Sequence, residues 1–356
     1  MPSSKALFAA ALLSAGLATA QDVYDTFTVN CKPLTVQRRD PLVSPGADGS
    51  DHVHAVIGGT AFAATVTNED AVNSLATTCD KILDHSSYWS PTLYHITSDN
   101  KYEPVTFSGS AVYYQNRACD YEAGLTQCPS YKTYFAKAPP KGLRMLSGNK
   151  NLFTFNSSDI TQRAVSHHCI GDIDEETNSL PVRQCNTIRS QVTFPSCWDG
   201  VNLDSDDHKS HMSFPAIGDY NGGVCPESHP VAIMELFYEW NFDTRQYTDR
   251  NFIFASGDKS GYGFHGDFIN GWTDQDRLSD AHKTCTGSGG VDAAGCSLNV
   301  GSDGSAGHAS VQTLQFPANS ENIGTSGPLA QLPNNKQPFG ETPQAALKSR
   351  VFAPDY

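Results

Sequence analysis

Ten cysteines constrain this chain more than any other feature: Cys31, Cys79, Cys119, Cys128, Cys169, Cys185, Cys197, Cys225, Cys285 and Cys296. Their number is even and no two form a Cys-x-x-Cys pair, so the set reads as disulfides rather than as a zinc ribbon or thioredoxin-like site. Pairing in order along the chain closes the shortest loops at the lowest entropy cost. On that basis at least four bonds are expected, Cys119–Cys128 and Cys197–Cys225 foremost. Cross-linked loops of this kind need an oxidising compartment, and the N-terminus supplies a route to one. Lys5 precedes an apolar run from Ala6 to Leu13, and Ala18-Thr19-Ala20 fits a signal-peptidase site. Residues 1–20 therefore read as a cleaved signal peptide, too short to span a bilayer, and the protein as secreted and extracellular.

The formal net charge of −14 argues against nucleic acid and anionic membrane surfaces as partners, since phosphates attract Lys and Arg. No other run is long enough to span a membrane, and no apolar C-terminal tail signals a glycolipid anchor. Charged residues make up only 17% of the chain, against 29 Gly and 20 Pro. That balance belongs to a loop-rich β protein. Strand-like runs at Pro104 to Tyr114, Gln191 to Phe194, Val231 to Tyr238 and Asn251 to Ala255 are short and bounded by turn residues. Two short helices are expected. One is capped by Thr67 and Asp70 and carries Val72, Leu75, Cys79 and Ile82 on one face; the other is capped by Thr273 and Asp276 and carries Leu278, Ala281 and Cys285. The fold expected is mostly β, an antiparallel sandwich or jelly roll over residues 21–316. A Pro-, Asn-, Ser- and Gly-rich stretch, 317–356, reads as a flexible tail or loosely packed extension. Asn156-Ser157-Ser158 is a glycosylation sequon.

Polar chemistry gathers in four places: Asp51-His52-Val53-His54; the run from Trp198-Asp199 through Asp204 and Asp207 to His208 and His211; Glu227 to His229; and Tyr262 to Asp267. His52 and His54 share a face if their segment is extended. Gly46, five residues and then His-x-His is the spacing of the cupin signature, but Ala55 to Gly59 offers no carboxylate to complete it. His52, His54, His211 and His265 are candidate ligands for a divalent metal. Asp199, Asp267 and His208 are candidate acid–base groups, with Asp204, Asp207 and Glu235 behind them. Trp89, Trp198, Tyr262 and Trp272 are candidate platforms for sugar rings. The His52–His54, Asp199–His211 and His265–Asp267 segments are expected to converge on one cleft.

The order SPGADGSDHVHAVIGG, SSYWSPTLY, KGLRML, FPSCWDGVNLDSDDHKSH, CPESHP and GYGFHGDFINGW resembles a fungal secreted family, domain of unknown function nineteen ninety-six, from about Asp40 to Trp272. Its members look like extracellular proteins, sometimes joined to carbohydrate-binding or cell-wall modules. The resemblance implies a cell-wall or polysaccharide setting and no particular reaction. Two functions fit: a hydrolase acting on wall or plant polysaccharide, with or without a metal, and a wall-associated binding or structural protein. A terminal histidine brace for copper is missing, because the mature chain starts at Gln21.

Overall fold

Along Glu235–Asp243 apolar and polar side chains alternate, so Leu236, Tyr238, Trp240 and Phe242 point one way and Glu235, Phe237 and Glu239 the other. This strand lies near the middle of a six-stranded sheet. The computed structural model describes residues 25–287, 289–300 and 321–343. The sheet runs, in order, Thr26–Cys31, Thr106–Gln115, Glu235–Asp243, Thr187–Thr193, Val165–Ile170 and Glu175–Thr177, every pair antiparallel. A second antiparallel sheet runs Thr35–Gln37, His54–Gly58, Ser87–Pro91, His265–Ile269 and Arg144–Gly148.

The two sheets enclose one core. Val29, Val112, Leu236, Tyr238 and Trp240 meet Ala55, Ile57, Tyr88, Met145 and Phe268 across it. Gly266 marks a close approach of the sheets, since a Cβ there would sit 2.8 Å from Val192. Tyr88 and Tyr114 link the sheets through their hydroxyls at 2.6 Å, and Trp272 Nε1 donates to Tyr114 Oη at 2.7 Å. The expected mostly β, antiparallel sandwich is what the chain adopts.

All five disulfides join neighbours in sequence: Cys31–Cys79, Cys119–Cys128, Cys169–Cys185, Cys197–Cys225 and Cys285–Cys296. The helices are shorter than the pattern predicts. Thr67 and Asp70 do form the capping box, but the helix is only Asn68–Val72. Leu75 then lies 99% exposed and Cys79 is tied to Cys31, so the expected apolar face never forms. The second helix, Gln275–Thr284, is capped by Asp274 rather than Thr273, and buries Leu278 and Ala281 as expected.

Residues 321–343 depart from the expected tail. Ile323 and Leu332 are buried with Val53, Tyr94 and Ile253, and Tyr94 Oη donates to Ile323 O at 2.9 Å. The Pro- and Asn-rich composition of this stretch conceals two apolar anchors that a window average dilutes. The expected signal segment 1–20 and, of the expected tail, residues 317–320 and 344–356 lie outside the described residues.

Candidate metal centre

On the outer face of the five-stranded sheet, ladder partners put Val56, Trp89 and Asp267 in one row. Leu34, Leu42, Phe62, Val66 and Ala71 cover much of this face with an apolar layer. The row that carries His54 and Pro91 is different. There His265, two residues before Asp267, faces Gly148 on the edge strand. His52, just before the His54 strand, folds onto the same spot, its ring centroid 4.3 Å from that of His54 and 5.0 Å from that of His265.

The three histidines are at most 4% exposed, and each offers one ring nitrogen within 4.8 Å of the others. Their hydrogen bonds decide which nitrogen that is. His54 Nδ1 lies 3.0 Å from Arg39 O and His265 Nδ1 lies 2.9 Å from Gly263 O. A carbonyl only accepts, so both Nδ1 atoms carry the hydrogen and both Nε2 atoms keep a lone pair. His52 Nδ1 lies 3.6 Å from the Asp51 carboxylate, beyond hydrogen-bond reach, and has no hydrogen-bond partner among the described residues, so His52 is free to take either tautomer. His54 Nε2 has no hydrogen-bond partner among the described residues, and the Nε2 atoms of His52 and His265 face each other at 3.1 Å.

With the hydrogen on His52 Nε2 this contact is an N–H···N hydrogen bond to His265; with it on Nδ1 two lone pairs face each other, the arrangement that an ion between them would stabilise. Burial keeps all three rings neutral: it holds His52 down to about 3, with repulsion from His54 second, and lowers His54 and His265 as well. Nitrogens each about 2.0–2.1 Å from one ion lie about 2.9–3.4 Å apart at octahedral to tetrahedral angles. The observed pair falls in that range. In His54 and His265, Nδ1–H is turned outward to a carbonyl and Nε2 inward, which is how histidine ligands are oriented around a metal.

Charged groups surround the trio. Asp51 is paired with Lys150 and Lys336, and its carbonyl accepts from Asn334 Nδ2 at 3.0 Å. Asp267 is buried, and neither carboxylate oxygen has a hydrogen-bond partner among the described residues. Burial, with Asp40 second, raises its carboxyl well above the usual range; Lys209 and Lys150 oppose the rise. Asp40 itself accepts from the amides of Leu42 and Val43 and turns the chain that covers the sheet.

The Asp199–His211 segment does not join the trio as expected. His211 uses both ring nitrogens on Ser205 Oγ and Arg144 O, so neither is free for a metal. His208 gives Nδ1 to Asp204 at 2.7 Å. Asp199 and Asp207 cap turns: Asp199 accepts from Val201 N and Asn202 N, Asp207 from Lys209 N and Ser210 N. Instead the segment docks on the edge strand, where Leu146 N donates to His208 O and Lys209 Nζ donates to Gly148 O. Lys209, unassigned by sequence, is the side chain it sends toward the centre. Only its position between two named histidines points to it.

The aromatic platforms also change. Trp89 packs against Phe62 with no exposure and Trp272 is 1% exposed, so neither can stack on a sugar. Trp198 donates its Nε1–H to Asn202 O, and Tyr262 stacks on Phe155. Glu235 is buried on the other sheet.

The profile of a family described as a domain of unknown function, DUF1996, matches residues 40–272. The chain belongs to the DUF1996 family. The matched region contains all three histidines together with Asp40, Asp51, Gly148, Lys150, Lys209 and Asp267, whereas Lys336 lies beyond it. No curated protein and no solved structure matches the chain. Five disulfides are compatible with an extracellular protein, and no helix among the described residues is long and apolar enough to cross a membrane.

Proposed function

We propose that this DUF1996 protein is a secreted metalloenzyme, a hydrolase whose divalent ion is held by Nε2 of His52, His54 and His265. The observation that carries the reading is the cluster of three neutral, buried imidazoles with ring nitrogens within 4.8 Å of one another, in which the Nδ1–H of His54 and His265 is bound outward to a carbonyl and leaves Nε2 as the coordinating atom. Three protein ligands leave a coordination position open, as in catalytic zinc sites. When bound, such an ion supplies Lewis acidity and activates water near neutral pH. With its Nε2 on the ion, His52 would turn Nδ1–H toward Asp51, 3.6 Å away and held by Lys150 and Lys336. Asp267, two residues from His265 on the same strand face, can hand a proton to a leaving group.

The near-complete burial of the trio supports a second reading, a wall-associated binding or structural protein in which the ion is a staple. Elemental analysis of the purified secreted protein tests both. We expect one equivalent of zinc or a similar ion, retained in Asp267→Asn and lost in His54→Ala. Hydrolysis lost in Asp267→Asn with the metal retained supports the enzyme. Metal-free wild-type protein, after incubation with zinc and desalting, sinks both readings.

A further inference from the structure

A cavity of about 520 Å³ opens on the edge strand beside the histidine trio, and Gly148 and Lys209 belong to its wall. Gly148 faces His265 across the ladder, with φ at +91° and no room for a Cβ, which would sit 2.8 Å from the Cα of His265. The cavity and the trio are thus separated at this point by bare backbone. Met212, Phe214, Pro215 and Ala216 supply an apolar wall, and exposed apolar surface of this kind marks a ligand site more often than chance.

Lys209 is the only charged residue among those lining the cavity, in a protein of net charge −14. Its ammonium has three donors, and its only side-chain hydrogen bond among the described residues goes to the Gly148 carbonyl. Among the described residues no carboxylate and no arginine lines the cavity, so the charged pairs that often grip a polyol are missing from its wall, which offers only the neutral polar side chains of Ser147, Asn149, Thr161 and Ser213.

We propose that this cavity is the substrate site of the centre, and that it takes a compound with an apolar body and one anionic oxygen group, such as an aryl or alkyl carboxylate, rather than a glycan chain. The apolar body lies against Met212, Phe214 and Pro215. The anionic group meets Lys209, at the end of the cavity nearest His265. The assignment rests on the metal reading above, since it makes the cavity the approach to that ion.

Calorimetric titration of the full protein, zinc-loaded and chelator-treated, with 2-naphthoate and separately with cellotetraose tests it. Two variants accompany the wild type: Ala216→Trp, which fills the cavity from an exposed rim position, and Lys209→Met, which keeps the stem and removes the charge. We expect 2-naphthoate to bind, binding to weaken at least tenfold in each variant, zinc content to stay unchanged, and cellotetraose to give no heat. Should Ala216→Trp fail to fold, Lys209→Met carries the comparison alone. Zinc bound but naphthoate ignored, or held equally well by Lys209→Met, overturns the cavity assignment and leaves the metal reading standing. Naphthoate bound without any zinc uptake overturns the metal reading, and with it the cavity's place as that centre's substrate site.

Discussion

A neutral imidazole can be buried at modest cost, but its lone pair still needs a partner. His167 meets that need, with Ser190 Oγ and Gly261 O at 2.9 Å on its two nitrogens. His54 does not, and the difference separates a satisfied core histidine from a candidate ligand. Asp51 sits one step outside the trio, and losing an outer partner of this kind usually weakens metal binding about 10–100-fold. Asp51→Asn should therefore lower zinc affinity by about that factor in a competition titration, while far-UV dichroism stays unchanged; unchanged affinity would detach Asp51 from the centre. Glu235 supplies a test far from the metal. Burial raises its carboxyl well above the usual value, Arg117 opposes this, and neither oxygen has a hydrogen-bond partner among the described residues. A group raised in the folded state stabilises fully below its unfolded pKa and loses that contribution as pH climbs through the folded one. Wild-type protein thus bears a growing cost above about pH 4.5, the ordinary glutamate range. Glu235→Gln cannot ionise, so its melting temperature should gain on wild type steadily as pH rises from 4.5 to 8. A difference flat across that range would refute the buried-acid reading.

At the scale of elements, the Arg144–Gly148 strand joins the centre to its cavity, and Gly148 is its most exacting position. A Cβ there would meet Phe264 O at 2.5 Å, in a φ region that L-residues avoid. Gly148→Ala should cost about 1–3 kcal/mol by denaturant titration and loosen zinc, because the strain falls on the His265 backbone. Stability lost without any change in zinc affinity would show that strand and centre are uncoupled. How far the sequence foretells these elements depends on the range of the interactions. The sandwich was legible because alternation such as Leu236, Tyr238, Trp240 and Phe242 is local, and the disulfide order because short loops close cheaply. His52 with His54, and His265 with Asp267, were legible as pairs two residues apart on extended backbone. Their meeting was expected from the like character of the two segments, polar and Gly-bearing, and it comes about because the His54 and His265 strands flank Ser87–Pro91 in one sheet. His211 misled because a ring bound to Ser205 and Arg144 O looks, in sequence, like a free ligand. Lys209 and Gly148 were missed because neither residue type announces a site until the edge strand places it. The first helix failed past Val72 because Cys79 is held by Cys31 rather than by helical periodicity.

For the molecule as a whole, the open question is what keeps residues 51–54 in place, since they enter the sheet from a long covering excursion. Residues 321–343 answer part of it. Leu332 and Ile323 pack on Val53, which faces away from His52 and His54 in the alternation. Lys336 and Asn334 hold Asp51 by its carboxylate and its carbonyl, and Arg38 pairs with Glu321. One segment therefore anchors the residue between two ligands and the residue before them. Leu332 is 1% exposed, so Leu332→Ala should cost about 2–5 kcal/mol, the range for emptying a buried leucine site. If the segment positions the ligands as well as covering apolar surface, its loss should also be felt at the metal. We expect zinc to stabilise Leu332→Ala less than it stabilises wild type at the same free concentration, because linkage ties that increment to affinity in the folded state. The measurement is the change in unfolding free energy on adding zinc to chelator-treated protein, for wild type, Leu332→Ala and Lys336→Ala. An equal zinc increment in all three would confine residues 321–343 to packing. A smaller increment in both variants, with the lost packing energy confined to Leu332→Ala, would show that the segment holds Asp51, and through it His52, where an ion needs them.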